Sequence, residues 1–182
     1  MDKKRSKQPR KVSLRYLENA ALHYLQRYAT SAENLRRVLK RKIERSCKFH
    51  AADPAEFYAA ADALIERYTS SGLLNDRVYA EAKVSSLRRR GLSRQAIAHK
   101  LQAKGLAKSE ILAGLEITDA EKEEPELEAA LALARRKKLG PFRPVPATDP
   151  DRKKKDMAAL ARAGFSYDIA AAALNFRPEE DE

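Results

Sequence analysis

The sequence predicts an all-α fold, an elongated array of three tandem three-helix repeats with about nine helices in total. Three observations predict it. The first is composition. Ala, Leu, Arg, Lys and Glu dominate while only 6 of the 182 residues are Gly, so most residues lose little on entering a helix. The second is a regular punctuation of Ser, Asp and Pro starts and Gly stops. The third is a pattern that recurs three times along the chain. Apolar residues make up 43% and charged residues 35%, so a core can form but must be thin, with extensive solvated faces.

The elements follow in order. Residues 1–13 are basic and polar and read as a disordered arm. Residues 14–28 form a first helix. Ser31 caps a second, whose inner face is Leu35, Val38, Leu39, Ile43 and Cys47 at helical spacing. Asp53-Pro54-Ala55-Glu56 combines a cap, a Pro at the first helical position and an acid in the first turn. The helix it opens puts Phe57, Ala61, Leu64, Ile65 and Tyr68 on one face and stops at Gly72. Asn75-Asp76 starts a fourth helix, which Gly91 ends, and Ser93 caps a fifth, which Gly105 ends. A short sixth helix spans residues 109–115. Pro125 fits the first turn of a seventh that reaches Lys138. A Pro-rich loop over 140–150 follows. Asp149-Pro150 opens the eighth helix, closed by Gly164, and Ser166 caps the ninth. The acidic tail 178–182 is expected to fray. The domain limits expected from this reading are 14–72, 73–118 and 119–177.

The recurrence has a physical meaning. Ser31, Ser93 and Ser166 are each followed by apolar residues four and eight positions on: Leu35 and Leu39, Ile97 and Leu101, Ala170 and Leu174. Nine and six positions before each serine stand Leu22 and Leu25, Val84 and Leu87, Met157 and Leu160. This is a helix pair with a tight turn, its serine oxygen satisfying free amides of the second helix. So small a unit cannot bury its own core, and copies must stack.

The charge is placed unevenly. Residues 1–48 carry 15 basic and 4 acidic side chains, residues 49–118 carry 10 and 8, and residues 119–182 carry 12 and 14. The formal excess of +11 therefore sits at the N-terminal end, and a polyanionic partner is expected. Several function classes lack support. No phosphate loop of the GxxxxGK[ST] kind is present, and the glycines mostly end helices. Cys47 and His50 have no second ligand pair beside them, so no metal or other cofactor is expected. His23 and His99 have no nucleophile at a readable spacing, and the acid pair Glu123-Glu124 lies in a solvated segment, so no enzyme is expected. A single cysteine cannot form an internal disulfide, and Cys47 reads as a buried, inert thiol. No apolar run approaches the roughly 20 residues of a membrane span. A cytoplasmic monomer that binds a partner, with no membrane contact, is the expectation.

The basic clusters are the candidate contact surface. On the helix from 31 to 48, Arg36, Arg37, Lys40 and Arg41 lie away from the apolar stripe. Arg88, Arg89, Arg90 and Arg94 flank the central turn, and Lys100 and Lys104 lie farther on. Arginine suits phosphate and carboxylate alike because its planar fork bonds bidentately. The basic face, and not the serine caps, is expected to carry affinity.

The stretch Leu74-Asn75-Asp76-Arg77-Val78-Tyr79-Ala80 continues into Leu87-Arg88-Arg89-Arg90-Gly91-Leu92-Ser93, Ile97, Leu101 and Lys104-Gly105-Leu106. It resembles the RecX family of bacterial regulators of the RecA recombinase. Arg162-Ala163-Gly164-Phe165 and the run from Arg135 through Leu139-Gly140-Pro141-Phe142 also look like RecX proteins. The likeness runs from about Leu14 to Phe176 and is strongest over 74–106. It implies three tandem three-helix repeats, binding to RecA within the groove of its filament on DNA, and modulation, usually inhibition, of RecA's ATPase, strand-exchange and coprotease activities. It thereby implies a place in DNA repair, recombination and the SOS response. Direct binding of DNA through the basic face is the alternative reading. The chain departs from the family pattern at the polar turn Tyr28-Ala29-Thr30, where the other repeats have Gly, and at its Pro-rich insertion.

Overall fold

In the computed structural model, which describes residues 8–144 and 150–177, nine α-helices and one 3-10 turn make up the regular structure of the described residues, with no strand among them. The helices are α1 (Leu14–Leu25), α2 (Ala32–His50), α3 (Ala55–Ser70), α4 (Asp76–Arg89), α5 (Arg94–Gln102), α6 (Lys108–Asp119), α7 (Pro125–Lys137), α8 (Pro150–Arg162) and α9 (Tyr167–Leu174); the 3-10 turn is Gly140–Phe142. The chain divides inside α4 into two compact units, residues 1–79 and 80–182.

Local chemistry sets the helix starts. The hydroxyls of Ser31, Ser93 and Ser166 accept hydrogen bonds from the amides of Asn34, Ala96 and Ile169, at 3.2, 3.1 and 3.4 Å. Ser13 caps α1 in the same way, and Asn75 caps α4 through the amide of Val78. Asp53 accepts from the amide of Ala55 at the entry to α3. At α6 the device is different. Glu110 reaches back to the amide of Ala107.

In the first unit α1, α2 and α3 enclose one core of Leu17, Leu35, Leu39, Ile43, Cys47, Ile65 and Tyr68, with Leu74 closing its edge. Cys47 is buried among them, and burial pushes its thiol pKa up. The second unit has a bundle of α4, α5 and α6 built on Val84, Leu87, Ile97, Leu101, Ile111 and Leu115. Gly114 lets α6 approach α4 closely, since a Cβ there would lie 3.2 Å from Val84 Cγ2. A third bundle of α7, α8 and α9 closes over Ala130, Leu133, Leu160, Phe165, Ala170 and Ala173.

Several sequence expectations are corrected. The first helix ends at Leu25 and not at residue 28, and Asn34 Nδ2 donates to both Tyr24 Oη and Thr30 Oγ1 across the turn that follows. The sixth helix, expected over 109–115, runs from Lys108 to Asp119. The arm is held from Pro9 onward: Val12 is buried, its amide donates to Ser46 Oγ at 2.9 Å, and that hydroxyl donates to the carbonyl of Arg10. Residues 1–7, 145–149 and 178–182, hence most of the arm, half of the Pro-rich loop and the acidic tail, lie outside the described residues.

The recurrence also needs correcting. Ser31 and Ser93 sit between the first and second helices of their bundles, whereas Ser166 sits between the second and third. The three serine turns are alike in local geometry but not in their place within the bundle. Leu22, one of the recurring apolar positions, is 39% exposed.

Candidate partner-binding surface

The ten basic residues singled out in the sequence fall into two sets, one on each unit. On α2 the apolar stripe of Leu35, Leu39 and Ile43 turns the polar face outward. Arg36 is half-buried there, with Nε 2.7 Å from Asp62 and a terminal nitrogen 2.6 Å from Glu33. Those two carboxylates raise its pKa, Glu33 foremost, and Arg36 in turn holds the Glu33 carboxyl below its ordinary value. Arg37 is exposed, with Nε 3.1 Å from the other oxygen of Glu33. Lys40 rests its ammonium 5.4 Å above the Tyr58 ring. Arg41 is exposed and has no carboxylate partner among the described residues. Intramolecular partners thus already engage Arg36, Arg37 and Lys40.

On the second unit the turn between α4 and α5 separates three adjacent arginines by fate. Arg89 and Arg90 are exposed and unpaired among the described residues. Arg94, the first residue of α5, is exposed as well, while its backbone amide donates to Glu126 at 2.9 Å. Lys100, on α5, and Lys104, in the turn that follows it, are exposed farther along.

Arg88 does not belong to this surface, which corrects the expectation. Its side chain is 1% exposed. One terminal nitrogen lies 2.5 Å from Asp119 at the end of α6. The other lies 2.7 Å from Glu126 in the first turn of α7 and 3.3 Å from the carbonyl oxygen of Leu92. A buried arginine is tolerable only with such partners. Arg88 is therefore a joint between α4, α6 and α7, and it cannot reach a partner without unfolding that joint.

Two further contacts tie the second and third bundles together, and neither is visible in local sequence. Ser93, fully buried, donates its hydroxyl to the carbonyl of Ala163 at 2.7 Å while also capping α5. Gly91, at φ +71°, presses against α7: a Cβ there would sit 2.5 Å from the amide nitrogen of Leu133. The exposed arginines of the α4–α5 turn are thus presented from a rigid base. The arrangement can neutralise anionic groups. Among the described residues no group of three or more His, Cys, Asp or Glu side chains could hold a metal ion, and no helix is long and apolar enough to cross a membrane.

Comparison with known proteins adds to this geometry. A family model described as "RecX, second three-helix domain" matches residues 75–115, and one described as "RecX, third three-helix domain" matches residues 124–174. The regulatory protein RecX of Myxococcus xanthus is 48% identical over 180 residues, covering 97% of this chain and 95% of that one. The protein of the same name from Agrobacterium fabrum is 34% identical over 175 residues, covering 96% and 90%. Among solved structures, the crystal structure of RecX from Lactobacillus salivarius superposes with a TM-score of 0.60 at 22% identity, over 88% of this chain and 94% of that one, which is a likeness of fold.

Proposed function

The chain belongs to the RecX family, and on that premise we propose that it is a non-enzymatic regulator that binds the RecA recombinase on DNA and lowers its ATPase, strand-exchange and coprotease activities. The observation that carries this reading is the 48% identity, over nearly the whole chain, to a protein named for regulation. The mode of action is stoichiometric binding by a cytoplasmic monomer. It places the protein in recombinational repair and in the SOS response, where RecA's coprotease activity is the signal.

The contact surface in this reading is the exposed basic set: Arg37 and Arg41 on α2, and Arg89, Arg90, Arg94, Lys100 and Lys104 around α5. Arg36 and Lys40 contribute less, because each, unlike the exposed Arg37, is half-buried as well as engaged within the first unit. The test is RecA-dependent ATP hydrolysis on single-stranded DNA, titrated with the protein and with a variant carrying Arg37→Glu, Arg41→Glu, Arg89→Glu and Arg90→Glu. The native protein suppresses turnover as its concentration approaches that of RecA. The variant keeps its helical signal and suppresses weakly, since repulsion replaces attraction at a polyanionic partner. Undiminished suppression by the variant at moderate salt would remove the basic face from the reading, and no suppression by either protein would remove the RecA partner.

A second reading, direct binding of DNA, is favoured by the unpaired Arg89 and Arg90. Excess competitor DNA separates the two, because it strips a DNA-bound protein but leaves one held by RecA filaments.

A further inference from the structure

Two helix faces and one turn of the third bundle meet around a cavity of about 270 Å³. Lys153, Asp156 and Met157 stand at i, i+3 and i+4 on α8, so they share one face of that helix. Ala171, Leu174 and Asn175 repeat the spacing at the end of α9. Pro141 and Arg143, from the turn after α7, complete the lining.

The three walls are fixed against one another. Asp156, 4% exposed, accepts from the amide of Gly140 at 3.0 Å and so pins the turn to α8. The turn also lies directly on α9, since a Cβ on Gly140 would come within 2.8 Å of Leu174 Cδ2. A site whose walls are set in advance loses little conformational freedom when it fills.

The lining divides by chemistry. Pro141, Met157, Ala171 and Leu174 give it a half-buried apolar wall. Asp156 takes Arg143 by two nitrogens, Nε at 3.2 Å and a terminal nitrogen at 2.5 Å. That fork fixes the guanidinium plane and leaves the other terminal nitrogen without a partner among the described residues. Lys153 is exposed and has no ion pair among them either. It stands in the first turn of α8, the positive end of the helix, where a cation is disfavoured. Two cations, Arg143 and Lys153, against one carboxylate, Asp156, leave the lining with a single positive charge in excess.

We propose that this cavity binds a small monoanion, a carboxylate carried on a short apolar body. The carboxylate bridges the free edge of Arg143 and the Lys153 ammonium, and the apolar body covers Met157, Ala171 and Leu174. One excess charge matches one carboxylate, whereas a nucleic-acid strand is held by many cations along a groove. The volume is just below the range of about 300–1,000 Å³ usual for ligand pockets, so the ligand is small. Two sources offer this chemistry: a free short-chain acid, and the C-terminal residue of a peptide with an aliphatic side chain. The site lies apart from the α4–α5 turn and does not rest on the RecA reading.

The test is calorimetric titration of the full chain, without RecA or DNA. The probes are isocaproate and a pentapeptide ending in leucine, each beside its neutral amide. At least one acid is expected to bind saturably and at least ~10-fold more tightly than its amide, the worth of one charge-assisted hydrogen bond. Tighter binding of isocaproate assigns the site to a free acid, and tighter binding of the peptide assigns it to a chain terminus. Lys153→Gln, an exposed change, is expected to weaken binding about 10-fold with the melting temperature unchanged. Ala171→Leu puts an isobutyl group into the cavity and is expected to remove binding while the helical signal stays. No saturable binding of either acid up to about 10 mM would overturn the proposal. So would amides that bind as tightly as their acids, or two folded variants that bind as the native chain does. Displacement of the bound acid by oligothymidylate or inorganic phosphate at equal charge would overturn it too, since the site would then be a general anion surface. RecA is absent from every arm, so failure here leaves the RecA reading standing, and failure of the ATPase test leaves this cavity standing.

Discussion

Arg88 donates to Asp119 across 2.5 Å, and the two side chains are 1% and 9% exposed. The pair joins the end of α4 to the end of α6, and Glu126 extends it to α7. Removing one partner of such a pair leaves the other charged and dry. Arg88→Met is therefore expected to cost about 3–5 kcal/mol, read from urea unfolding of the second unit. Arg89→Met, one residue on and exposed, should stay within about 0.5 kcal/mol. Equal costs would show that Arg88 is solvated.

The serines divide by what else they touch. Ser93→Ala removes the cap on Ala96 and the donor to Ala163, so its expected cost is about 2 kcal/mol. Ser166→Ala removes only an exposed, 3.4 Å cap, at about 1 kcal/mol or less. Midpoints in urea at constant slope measure both. Indistinguishable shifts would mean that the bond to Ala163 adds nothing.

Two glycines with similar backbone angles predict different outcomes. Gly72 is at φ +77° with nothing within 4 Å of a Cβ, so Gly72→Ala pays backbone strain alone, about 1–2 kcal/mol. Gly91 is at φ +71° and its Cβ would meet the Leu133 amide and the Ala129 carbonyl below van der Waals distance. Backbone cannot step aside as a side chain can, so Gly91→Ala should cost more than about 3 kcal/mol and loosen α7 from the α4–α5 turn. Thermal unfolding of the two variants tests the order.

Asp76 should make the first unit's stability depend on pH. Burial raises its pKa, partly offset by the amide of Ala32, which donates to it at 2.8 Å. A raised folded value means that the native state binds the proton more tightly than the unfolded chain. This contribution is therefore fully present below the unfolded value of about 3.9 and is lost as pH rises through the folded one. Asp76→Asn keeps an acceptor for Ala32 and removes the titration. The stability of wild type relative to this variant should fall on going from pH 3 to pH 7. A rise over that window would reverse the sign assigned to the burial.

The helices of this protein were legible in its sequence because their causes are local. A serine oxygen reaches an amide three residues on, a glycine tolerates positive φ, and apolar residues at steps of three and four make one face. Those causes placed Leu35, Leu39 and Ile43 inside and Arg41 outside. They could not separate Arg88 from Arg89 and Arg90, three identical side chains in a row. Each step along a helix turns the next side chain by about 100°. Which of the three points inward depends on carboxylates 31 and 38 residues away, at Asp119 and Glu126. Ser93 carried the same ambiguity, its cap readable and its bond to Ala163, 70 residues on, not. The nearness of α8 to the turn after α7 was hidden for a related reason: the amide of Gly140 donates to Asp156, 16 residues on, and no local pattern announces that bond.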